Sequence, residues 1–101
     1  MPMVEVKEIP ITALTVATAQ DERFGGYIES MLIQNDCPFA VNILGHDGRR
    51  IAHVLAYDIL PWWAGDRDYN SLRIYGEAPS AAADITVGNV LYIHYKLKRK
   101  A

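Results

Sequence analysis

Short extended runs between closely spaced turn formers mark this 101-residue chain as all-β, a β-sandwich or jelly-roll of about seven to eight short antiparallel strands. Three observations carry that expectation. Turn formers cluster at 21–26, 35–38, 45–48, 61–70, 76–80 and 88–89. The runs between them are rich in Val, Ile, Thr, Tyr and Leu, residues that fit a pleated and half-buried surface. No apolar period of 3.6 persists over about ten residues, as a helix of ordinary length requires.

The strands follow in order. Val4 and Val6 alternate with Glu5 and Lys7. Tyr27 to Gln34 is mostly apolar on both faces, which predicts a central strand covered on both sides. Phe39, Val41 and Ile43 alternate with Ala40, Asn42 and Leu44, and Gly45-His46-Asp47-Gly48 then reverses the chain. Asp-Gly suits the positive φ of a tight turn. The returning strand, Arg50 to Tyr57, places Ile51, His53, Leu55 and Tyr57 on one face and Ala52, Val54 and Ala56 on the other. Leu72 to Tyr75 is a further strand. Ala81-Ala82-Ala83, after Pro79, reads as a turn feeding a strand at Ile85-Thr86-Val87. The last strand is the clearest: Leu91, Ile93, Tyr95 and Leu97 form a dry face against Tyr92, His94, Lys96 and Lys98.

Length and composition bound the function. A chain of 101 residues suits one domain, 1–101, with little room for a deep enclosed pocket. The net charge of −2 is too small for wholesale attraction to nucleic acid or membrane. Residues 1–36 hold six acidic and two basic side chains, while the remainder holds six acidic and eight basic. Cys37 is the only cysteine, so no internal disulfide forms, which suits a reducing cytoplasm. No basic segment leads into an apolar run at the start, and no apolar stretch approaches 18 residues, so neither a signal peptide nor a spanning helix is expected.

Catalytic patterns are weak. His46, His53 and His94 are too scattered for a metal motif, and two are expected at the surface. Cys37 sits beside Asp36, which raises a thiol pKa instead of activating it. Asp66 and Asp68 match the opening spacing of a calcium loop, without its glycine at position six or its acid at position twelve. No phosphate-binding glycine loop or nucleophile elbow is present. The expectation is a non-enzyme without metal or cofactor.

Two surface features remain. The segment Leu60 to Asn70 contains Trp62, Trp63, Arg67 and Tyr69, the composition of an interaction hot spot. It reads as a contact loop, although at least one tryptophan could instead cap the open end of the sandwich. The C-terminal Lys96, Lys98, Arg99 and Lys100 form a basic tail that suits an acidic neighbour or a solvated end better than nucleic acid.

As an ordered string, Met31-Leu32-Ile33-Gln34-Asn35 and Phe39-Ala40-Val41-Asn42-Ile43 resemble small virion proteins of tailed bacteriophages. The Asp-Gly turn, Leu60-Pro61-Trp62-Trp63, Leu72-Arg73-Ile74-Tyr75 and the closing runs Ile85-Thr86-Val87 and Val90 to Tyr95 extend the resemblance over about residues 27–95. It implies a β-sandwich subunit of the decoration or cement type, located in the virion and assembled in the host cytoplasm. Its partners would be further copies of itself and a major capsid or tail protein. The resemblance leaves Val4 to Gln20 aside, and residues 1–20 are expected to include an extended arm, because Pro10 weakens ladder pairing. The alternative is a carbohydrate- or ligand-binding module that stacks sugars on Trp62 and Trp63, both exposed.

Overall fold

The computed structural model describes residues 4–77 and 89–99. Eight strands are present among them: β1 Glu5–Pro10, β2 Gln20–Arg23, β3 Ile28–Asn35, β4 Val41–Gly45, β5 Arg50–Val54, β6 Ile59–Trp63, β7 Ser71–Gly76 and β8 Val90–Leu97. A single 3-10 turn, Val16–Thr18, interrupts the crossing from β1 to β2. The turn expected at Ala81–Ala83 and the strand at Ile85–Val87 lie outside the described residues.

Two four-stranded sheets form, in the orders β1-β8-β3-β6 and β2-β7-β4-β5. The pairing has a simple origin. β4 and β5 are the tip of a hairpin whose arms pair β3 with β6, β2 with β7 and β1 with β8, all antiparallel. Rolling that long ribbon brings β3 against β8 and β4 against β7, which creates the two sheets. This is jelly-roll order, so the expected all-β sandwich is the fold observed.

Alternation fills the space between the sheets. Ile9, Met31, Ile33, Val41, Ile43, Ala52, Val54, Leu72, Ile74, Leu91 and Ile93 all face inward and are buried. A bulge between Ile28 and Ser30 lets Ile28 and Met31, three positions apart, both point inward. The dry face expected for β8 is the inner face, with Tyr95 meeting Phe24 edge-on at 4.9 Å. The Asp-Gly hairpin is present, with Gly48 at φ +85°. Its second strand stops at Val54, leaving Leu55 and Tyr57 exposed on the turn that carries the chain to the other sheet.

Four expectations need correction. Residues 5–10 are not a free arm: they form edge strand β1, and Ile9 and Ile11 are buried in the core. The crossing beyond them is pinned by Gln20, which accepts from Thr12 N–H at 2.9 Å and donates to Pro10 O at 2.8 Å. Gln20-Asp21-Glu22-Arg23 is a strand although it contains no apolar residue, because an edge strand pairs on one side only. Ile59–Trp63 is likewise a strand and not a loop. Pro61 is tolerated there since β6 is an edge and a proline has no N–H to offer a second neighbour. Finally, β3 is central in its sheet but covered on the inner side only, for Leu32 is 43% exposed.

Candidate functional site: the outer face of the first sheet

Strand register defines this face residue by residue. Val6, His94, Leu32 and Pro61 form one row across the four strands. On one side of it Lys96, Ser30 and Trp63 align, with Val4 just ahead of β1. On the other side lie Glu8, Tyr92, Gln34 and Ile59. Since successive side chains in a strand alternate between faces, all these groups point away from the core. Val4, Val6 and Trp63 are 60%, 56% and 66% exposed. Between them runs a trough of about 420 Å³, floored by Leu32 and walled by Val4, Pro61, Trp63 and His94.

The second sheet shows the opposite surface. There Asp21 pairs with Arg73 at 3.5 Å, and buried Asn42 accepts from His53 Nδ1 at 2.8 Å and from Arg50 at 3.3 Å while donating to Glu77. One outer face is closed by its own polar side chains. The other presents exposed aliphatic groups and an indole among polar side chains such as Ser30, His94 and Lys96.

The hot-spot residues read from the sequence separate in space. β6 directs Trp62 inward, where it is 7% exposed, and Trp63 outward. Arg67 lies over the Trp62 ring at 5.0 Å and donates to the carbonyls of Ala64 and Trp63, so it caps a turn. Tyr69 is buried, with its hydroxyl donating to Asp47 and its ring beside His46. Asp47 is held below the usual carboxylate range, chiefly by the Arg49 N–H that it accepts. Of the four residues, Trp62 and Tyr69 are buried, Arg67 is exposed with its guanidinium bonded to backbone carbonyls, and Trp63 is exposed on the outer face. Sequence reading missed Val4, Val6, Leu32 and Pro61 as its companions, although the two-sided apolar pattern of β3 was their signal.

The basic tail is largely engaged. Lys96 lies 3.8 Å from Glu29, and Lys98 reaches Asp68 at 3.0 Å and the Arg67 carbonyl at 2.7 Å. Arg99 is exposed, and Lys100 lies outside the described residues. The histidines stand apart: His46 on the β4–β5 turn, His53 on the second sheet and His94 on the first. Among the described residues no group of three His, Cys, Asp or Glu side chains could hold a metal ion. Cys37 is fully buried, and burial followed by the Asp36 charge pushes its thiol up to about 11. No helix among the described residues is long and apolar enough to cross a membrane.

No family model, curated protein or solved structure matches this chain.

Proposed function

We propose that this protein is a structural subunit that associates with further copies of itself and with a larger shell through the outer face of β1-β8-β3-β6. The observation that carries this reading is the group of exposed apolar residues Val4, Val6, Leu32 and Trp63 on this face, opposite a sheet face whose outer polar groups pair with one another. Contiguous apolar patches of this kind on a small domain mark interaction surfaces. Face-to-face docking is favoured over strand addition, because Pro61 in β6 and Pro10 in β1 blunt both edges of that sheet. Jelly rolls serve widely as shell-building domains. Joined to the pattern resemblance over about residues 27–95, this supports a decoration or cement protein of a bacteriophage capsid or tail, resident in the virion and assembled in the host cytoplasm.

The sugar-stacking alternative called for two exposed tryptophans. With Trp62 in the core, no two-indole platform exists. The shell-docking part is tested by co-sedimentation of the purified protein with capsids or tails built from the shell protein of the same genome. Binding that Trp63→Ser weakens supports the reading; failure to sediment with either removes it.

A further inference from the structure

At one end of the sandwich lies a second hollow, of about 630 Å³, lined by Arg23, Gly25, Gly26, Tyr27, Asn70 and Ser71. None of these residues lines the trough beside Trp63. Its shape comes from the β2–β3 reversal. Gly25 adopts φ +75°, a left-handed conformation that glycine takes without strain. Gly26 stands so close to the end of β8 that a Cβ there would lie 3.1 Å from a Leu97 methyl. The turn is fastened on both flanks, Phe24 N–H donating to Asn70 O at 3.0 Å and Lys98 N–H to Tyr27 O at 2.7 Å.

The groups left over at this hollow are mostly donors. Among the described residues, Arg23 is the only charged residue of the lining, and no carboxylate lies within ion-pair distance of its guanidinium. Among the same residues, the N–H groups of Gly25, Gly26 and Tyr27 find no protein acceptor. The Tyr27 ring is half exposed, and the Asn70 amide and Ser71 hydroxyl point to no acceptor or donor within the described chain. A guanidinium selects a carboxylate or another oxyanion. An aromatic face selects the apolar side of a ring, and neutral amide and hydroxyl groups suit ring hydroxyls. An inorganic anion would use the donors but leave the Tyr27 ring idle, and a neutral sugar would leave the Arg23 charge without a counter-charge. Both sets are used by one ligand class.

We propose that this hollow binds a carboxylate-bearing sugar unit, with Arg23 taking the carboxylate, Tyr27 stacking on the ring, and Asn70 and Ser71 meeting its hydroxyls. The volume falls within the roughly 300–1,000 Å³ of small-molecule sites.

The test is an amide NMR titration of the full chain with the trisaccharide of galacturonate, its neutral galactose counterpart, and inorganic sulfate. Saturable shifts centred on Gly25, Gly26, Tyr27 and Ser71 are expected with the acidic trisaccharide. Arg23→Gln should weaken binding about tenfold or more, and so should replacement by the neutral trisaccharide. Tyr27→Ala should weaken both sugars. Thermal unfolding of each variant confirms that it folds, and Trp63→Ser should leave sugar binding unchanged, which separates this site from the docking face. Sulfate matching the acidic sugar would reduce the site to an adventitious anion site only and overturn the proposal. Equal binding of the neutral sugar, indifference to both substitutions, or shifts centred elsewhere would do the same.

Discussion

Trp62 and Trp63 are neighbours in the chain, yet the pleat of β6 gives them opposite environments. Trp62 packs beneath Arg67 and beside Tyr69, so truncation leaves a cavity as well as lost burial. Trp62→Ala should cost about 3–5 kcal/mol in urea unfolding, whereas Trp63→Ala should stay within about 0.5 kcal/mol. Equal losses would place both indoles in the core. Asn35 shows how a buried polar side chain is kept satisfied: its amide nitrogen donates to the carbonyls of Phe39, Val54 and Leu55, and its oxygen accepts from Cys37 N–H. One side chain thereby fastens the end of β3 to the ends of two loops. Cys37 beside it gives a pH prediction. Its thiol pKa is raised from 9.0 to about 11, so between those values the unfolded chain loses a proton that the folded chain keeps. The contribution to stability is complete below 9.0 and falls as pH rises through the window. Between about pH 8 and about pH 10.5, wild type should lose more unfolding free energy than Cys37→Ala. Parallel losses would show that the thiol is not responsible.

At the level of elements, legibility followed side-chain alternation. β8 and the β4–β5 hairpin were readable because buried positions alternate along β8 and β5, β4 is buried at every position, and the turn carries Asp-Gly. β2 was not, since an edge strand of Gln, Asp, Glu and Arg leaves no apolar trace and is held by backbone pairing to β7. β6 was hidden by Pro61, whose missing N–H matters little at an edge. The hairpin tip depends on backbone conformation more than on packing. Gly48→Ala forces an L-residue to φ near +85° with open space around its Cβ, and should cost about 1 kcal/mol by thermal unfolding. No loss would mean that the turn readily changes type. β3 is the element on which the proposed docking turns, with its inner face in the core and Leu32 on its outer face. Leu32→Glu leaves the ladder bonds to β6 and β8 in place and should change stability by less than about 1 kcal/mol. A larger loss would assign Leu32 to the fold itself.

On the scale of the whole molecule, the chain is a ribbon rolled into two sheets whose outer faces differ in kind. The candidate site was only partly legible for that reason. Trp63 stood out by residue type, but Val6, Leu32 and Pro61 come from three separate strands and Val4 from just ahead of the first, and only the rolled pairing sets them side by side. Lys98, which composition assigned to a free tail, is drawn back to Asp68 by the same folding. Association through an apolar face should grow with concentration by mass action and, unlike association through ion pairs, respond weakly to salt. Sedimentation equilibrium of the wild-type chain and of Leu32→Glu over a wide concentration range tests this most directly. The account predicts a mass that rises above the monomer with concentration for wild type, insensitive to salt, and a monomer for Leu32→Glu. A wild-type chain that stays monomeric throughout, or a variant that associates equally well, would contradict it.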